Sequence, residues 1–107
     1  MTHMRIGDYE VVSYTETPEC SLRLLKLTKD KFVLLHHHHK TTQIYFVLEG
    51  IVQATLDGKS VVLEPHQILR IPPDALHSIR TESEALVLSI SLPPLEASDQ
   101  HVATEHR

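Results

Sequence analysis

Residues 31–50 read KFVLLHHHHKTTQIYFVLEG: an apolar run, four consecutive histidines (His36 to His39), a short polar break, and a second apolar run ending in Glu49-Gly50. Phe, Val, Ile and Tyr suit a pleated, half-buried surface, so the stretch predicts two strands, over 32–38 and 44–48, with a turn between them. The histidines lie between two strands and not at a terminus, where a purification tag would sit, and are read as native sequence. Side chains alternate faces along a strand, which places His36 and His38 on one side and His37 and His39 on the other. Within each pair the Cα atoms are roughly 6.6 Å apart at about 3.3 Å of rise per residue. Two imidazoles at that spacing can converge on one metal ion, but alternation alone does not choose between the two pairs.

Outward from this stretch the same texture recurs. Short apolar runs at 9–14, 22–27, 51–56, 60–63, 68–71, 78–80 and 86–92 stand between turn signals, the pattern of an all-β sandwich or barrel. Asp57-Gly58 accepts the positive φ angles of a tight hairpin turn and joins two of the runs. Asp30, amid lysines, marks another turn, and Pro72-Pro73-Asp74 interrupts the ladder because proline has no N–H to donate. No internal repeat is visible. After Pro93-Pro94 the chain turns polar and loses its periodicity. The reading therefore assigns 1–94 to one barrel domain and 95–107 to a flexible tail, with His101 and His106 solvated.

A chain of 107 residues holds one core and no second domain. It buries roughly two thirds of its unfolded surface, so a bound metal is expected to serve function more than folding. Ten Lys and Arg against fourteen Asp and Glu give a net charge of -4 without a basic stripe, so nucleic acid is not expected as a partner and no separate DNA-binding unit is legible. The single cysteine, Cys20, cannot form an intrachain disulfide. Neither a signal-peptide core nor a run of membrane-spanning length is seen, so a cytoplasmic protein with no membrane partner is expected.

The spacing His36-x-His38-x4-Gln43-x6-Gly50 resembles the first motif of the cupin superfamily, G-x5-H-x-H-x3,4-E-x6-G, whose two histidines and glutamate bind metal. The stretch His66-x5-Pro72-x-Asp74-x2-His77-x3-Thr81 resembles the second, G-x5-P-x-G-x2-H-x3-N, which makes His77 the third histidine ligand. Six residues before His36 stands Asp30, a turn residue where the motif has glycine, whereas the same count from His37 reaches Lys31. The resemblance therefore favours His36 and His38 over His37 and His39. Asp30, His66 and Asp74 replace motif glycines, Thr81 replaces the asparagine, and Gln43 replaces the acidic ligand. The family implies an all-β, single-domain double-stranded β-helix, or jelly-roll barrel, pairing as a homodimer. It also implies one divalent transition-metal ion, Fe, Ni, Zn, Mn or Cu, held by His36, His38, Gln43 and His77.

The glutamine changes the chemistry of such a site. Three neutral imidazoles and an amide leave the full double charge on the ion, where a glutamate would cancel part of it. That arrangement favours an anionic ligand and is similar to the cupin subset with three-histidine centres, which includes some thiol and diketone dioxygenases. Gln43 either ligates the ion or hydrogen-bonds a water on it. Tyr45 shares Gln43's strand face and is the candidate for substrate contact, set against a plain core role. The leading expectation is a small-molecule metalloenzyme, dioxygenase-like, acting on a small anionic or enolisable substrate. The alternatives are a non-catalytic small-molecule sensor and a sugar isomerase or epimerase.

Overall fold

A computed structural model describes residues 7–103. The strands are β1 (Glu10–Glu16), β2 (Ser21–Thr28), β3 (Val33–His37), β4 (Thr42–Glu49), β5 (Val52–Leu56), β6 (Lys59–Leu63), β7 (Ile68–Ile71), β8 (His77–Arg80), β9 (Glu84–Leu92) and β10 (His101–Val102), with one short 3-10 turn at Ala97–Asp99. They form two five-stranded sheets, β1-β2-β9-β4-β7 and β10-β3-β8-β5-β6. Every pairing is antiparallel. The sequence is all-β as expected, and the two sheets face each other across a common interior.

Period-2 alternation builds that interior. In β2, Ser21, Arg23, Leu25 and Leu27 are buried, and in β4, Gln43, Tyr45 and Val47 are. Strand register then sorts the buried side chains into rows across the first sheet. Ser21, Ser91 and Gln43 form one row, Arg23, Ser89 and Tyr45 the next, and Leu25, Val87 and Val47 the third. Across the second sheet His36 pairs with His77, and Val33 pairs with Ile79, which in turn faces Ala54. The interior is therefore polar in some rows and apolar in others. The apolar rows, with Leu27, Val52 and Leu63, supply the hydrophobic core, and the polar rows form the site described below.

The turns explain how non-glycine residues stand at three motif positions. His66 (φ 74°) and Asp74 (φ 72°) both take left-handed backbone angles, so the geometry that glycine would supply is kept. Thr28 and Lys31 exchange both backbone hydrogen bonds around Lys29-Asp30, closing the turn expected there. Asp57-Gly58 is a two-residue hairpin turn with φ 49° and 84°, flanked by the pair Leu56 and Lys59. Gly50 cannot be replaced freely: at φ 84°, a Cβ would lie 2.2 Å from the Glu84 carbonyl oxygen. Thr81, at the motif asparagine, donates its hydroxyl to the Ile51 carbonyl at 2.8 Å.

Two expectations need correction. The alternation that puts His36 and His38 on one face would, carried back along the strand, also place Phe32 and Leu34 on the barrel lining, but Val33 is buried and Leu34 exposed, because β3 shifts register between Val33 and His36. The assignment of 95–107 as a flexible tail also fails for its described part. Leu95 is buried and donates its N–H to Ser21, the Asp99 carboxylate accepts the N–H groups of His39 and Lys40 at 2.8 and 2.9 Å, and β10 pairs with β3. His101 is half-buried, not solvated, and His106 lies outside the described residues.

Candidate metal centre

His36 on β3 and His77 on β8 are direct cross-strand partners, and His38 follows just past the end of β3. Their exposures are 3, 0 and 2 %, and their ring centroids lie 4.2 Å (His36–His77), 4.8 Å (His36–His38) and 5.5 Å (His38–His77) apart. One ring nitrogen from each falls within 4.8 Å of the other two. Pairing across neighbouring strands, joined to the i, i+2 relation within one strand, brings the three together.

The second nitrogen of each ring fixes its chemistry. Nδ1 faces a backbone carbonyl in all three: Leu34 for His36 at 2.7 Å, Asp99 for His38 at 2.9 Å, and Ala75 for His77 at 2.9 Å. A carbonyl only accepts, so Nδ1 carries the proton and donates, leaving a lone pair on each Nε2. Gln43 Oε1, another acceptor, lies 2.8 Å from His77 Nε2 and 3.2 Å from His38 Nε2. Its amide nitrogen donates to Ser91 at 3.2 Å and Ser89 at 3.4 Å, which turns the oxygen toward the histidines.

Lone pairs thus converge with no proton between them, and protonation is a poor remedy. Burial pushes His36 down to about 3 and His77 down to about 4, with the neighbouring imidazoles adding to the effect, and burial lowers His38 as well. A divalent cation accepts lone pairs where a proton is disfavoured. Ligands at 2.0–2.1 Å from an ion are roughly 2.9–3.4 Å from one another in octahedral or tetrahedral arrangements; Gln43 Oε1 already stands near that spacing from two Nε2 atoms, at 2.8 and 3.2 Å, while the ring nitrogens, within 4.8 Å of one another, would draw in on the ion. Donors of imidazole and amide type, with no thiolate, suit Fe, Ni, Zn, Mn or Cu.

Tyr45 is fully inside, and its hydroxyl donates to Gln43 Oε1 at 3.4 Å. Burial raises its pKa, so the phenol stays protonated. His37 and His39 are not part of this cluster; they lie on the other side of β3, as alternation requires.

Sequence reasoning missed two residues. Arg23 is 5 % exposed, its only hydrogen bond is a 3.3 Å contact with the Tyr9 hydroxyl, and Nε and Nη1 have no partner among the described residues. It occupies the same row as Ser89 and Tyr45, and its charge further depresses His36. The available signal was a cation on the inward face of SLRLLKLT, in phase with Ser21, Leu25 and Leu27. The second is Asp99, whose carbonyl orients His38 from 61 residues away. Burial alone would raise its carboxyl, but the N–H donors of Lys40 and His39 prevail and hold it below its ordinary value.

The fold and the three inward histidines define a double-stranded β-helix barrel with a candidate metal centre. The model of the Cupin_2 family, described as a cupin domain, matches residues 24–91, and the chain belongs to that family. Among curated relatives it is 32 % identical over 83 residues to the uncharacterized HTH-type transcriptional regulator YobQ of Bacillus subtilis, covering 74 % of this chain and 34 % of the regulator. It is 33 % identical over 48 residues to quercetin 2,3-dioxygenase of the same organism, covering 45 % of this chain and 14 % of the enzyme. Among solved structures, a conserved protein with a double-stranded β-helix domain from Klebsiella pneumoniae superposes with TM-score 0.78 at 15 % identity, over 96 % of this chain and 90 % of that one. The chain spans about a third of the regulator's length.

Proposed function

We propose that this chain is a metal-dependent cupin enzyme, dioxygenase-like, that acts on a small anionic or enolisable substrate. The observation that carries the reading is the convergence of three neutral Nε2 atoms and the Gln43 oxygen beside the buried, under-partnered guanidinium of Arg23. His36, His38 and His77 hold one divalent ion, and Gln43 ligates it or orients a bound water. When bound, the ion supplies Lewis-acid polarisation of a chelating oxygen and a meeting point for substrate and dioxygen. Among the described residues no carboxylate contacts the three rings directly, so an anionic oxygen donor is favoured.

The chain's own residues supply the rest. A buried cation with unsatisfied N–H groups is costly, and a substrate carboxylate or enolate is the complement that would satisfy Arg23. Tyr45, held protonated, can donate to a substrate oxygen once Gln43 Oε1 is engaged elsewhere. The likeness to quercetin 2,3-dioxygenase supports oxygen chemistry. The likeness to YobQ supports a second reading, in which the same pocket senses an anion without turnover.

Oxygen uptake by the iron-, nickel- or manganese-loaded protein, measured with a panel of small carboxylates and β-diketones, separates the two. Uptake above background with at least one compound supports the enzyme. Saturable binding of those compounds with no uptake under any metal supports the sensor and rejects the dioxygenase.

A further inference from the structure

His37 and His39, which the proposed centre leaves unused, meet His101 on the outer side of the barrel wall. His37 and His101 are direct register partners between β3 and β10, so their rings stack with centroids 5.0 Å apart. His39 closes the triangle at 5.0 Å from His37 and 4.4 Å from His101. One ring nitrogen from each lies within 4.8 Å of the other two, the same criterion that the inner cluster meets.

We propose that these three histidines form a second transition-metal site, whose ion ties the C-terminal segment to β3. Two carboxylates frame it. Asp74 Oδ1 lies 2.6 Å from His39 Nδ1, which holds the ring in place and leaves its Nε2 as the ligand atom. Asp99 Oδ1 lies 3.5 Å from His101 Nε2, an atom buried without a well-formed hydrogen bond. Two carboxylates thus stand in direct contact with the site's ligands, whereas none among the described residues is within ion-pair distance of the inner rings, so the outer ion needs no anionic ligand from solution. The imidazole and carboxylate donors suit Zn, Ni or Cu, with copper the tightest by the usual order of affinities.

The position gives the site a consequence. His101 belongs to the segment that also carries Asp99, whose side chain caps the loop at His39 and Lys40 and whose carbonyl orients His38 of the inner cluster. An ion on the outside fixes that segment and with it one inner ligand. The inference does not rest on the inner site being catalytic.

The test is a titration of the metal-free, untagged full chain with Zn2+ by calorimetry, repeated on His101→Ala and on His36→Ala/His77→Ala. The parent should take two equivalents and each variant one. Hydrogen exchange at the amides of His39, Lys40 and Ala103 should slow on adding Zn2+ to the parent and to His36→Ala/His77→Ala, but not to His101→Ala. If the double variant does not fold, the parent is compared with His101→Ala and with His37→Ala/His39→Ala, and the equivalent that each of these loses still counts the outer site. A parent that binds one equivalent, lost with His77 and kept without His101, overturns the proposal. So does a His101→Ala chain that still binds two.

Discussion

His36 and His38 turn inward to meet His77, while His37 and His39 turn outward to meet His101, so one run of four residues feeds two clusters of the same three side chains. Ring separations are similar, 4.2–5.5 Å inside and 4.4–5.0 Å outside. What differs is the surroundings. Inside, every Nδ1 is committed to a main-chain carbonyl, the rings are buried, and the oxygen facing Nε2 of His38 and His77 is a neutral amide. Outside, the side chains of His39 and His101 are 58 and 37 % exposed and their polar partners are carboxylates. Ligand identity therefore does not determine what a histidine cluster does. Inside, the tautomer is set, the rings are buried and no carboxylate among the described residues contacts them directly, which suits an ion that must accept a substrate. Outside, charge is cancelled and solvent has access, which suits an ion that only holds two segments together.

The comparison breaks most visibly at the metal. Replacing His77 with alanine should lower inner-site affinity by more than the roughly 10- to 100-fold that loss of a merely supporting residue costs, while His37→Ala/His39→Ala leaves that affinity within a few-fold. Equilibrium dialysis against a chelator of known affinity reads both. Equal losses from the two variants would erase the distinction between inside and outside.

A smaller effect is expected at Arg23. Charge-assisted hydrogen bonds contribute about 1.5–3 kcal/mol each, so Arg23→Met should weaken a bound carboxylate by roughly 10-fold or more with metal affinity nearly unchanged. Anion binding that survives the substitution would remove the guanidinium from the substrate pocket. Gln43→Glu sharpens the same point from the other side. An added negative charge beside the cation should raise metal affinity, by about 10-fold, and lower anion affinity. If neither moves, residue 43 does not sense the ion.

Stability reads the same buried rings without metal. His36 and His77 are held at about 3 and about 4, below the 6.5 of a free imidazole. The unfolded chain takes up protons near 6.5 that the fold refuses. The metal-free protein should therefore be fully stable above about pH 6.5 and lose stability as pH falls toward 4, by up to about 1.4 kcal/mol per unit for each imidazole. Thermal melts from pH 7.5 to 4.5 should show this slope in the parent and a weaker one in His36→Gln/His77→Gln. Parallel curves would mean that the buried imidazoles do not set it.

Much of this architecture was legible in the sequence because it is local. Alternation separates His36 from His37, Asp57-Gly58 makes its hairpin, and two motif spacings bring His77 to the pair 40 residues before it. Where the reading stopped short, the cause is non-local. The irregularity in β3 that buries Val33 in place of Leu34 leaves no composition mark. Arg23 was passed over because an arginine in a strand is ordinarily solvated, and only the phase of its neighbours argued otherwise. Residues 95–103 read as a tail because a two-residue strand has no period. What holds them is the Asp99 carboxylate capping two amides at the far end of the histidine run.

The central claim is that three inward Nε2 lone pairs hold one divalent ion. Diffraction from Zn2+-loaded crystals at the zinc absorption edge tests it most directly. An anomalous peak is expected inside the barrel, about 2.0–2.1 Å from Nε2 of His36, His38 and His77, retained in His37→Ala/His39→Ala. An interior without that peak, in crystals whose zinc is bound only at the surface, would contradict it.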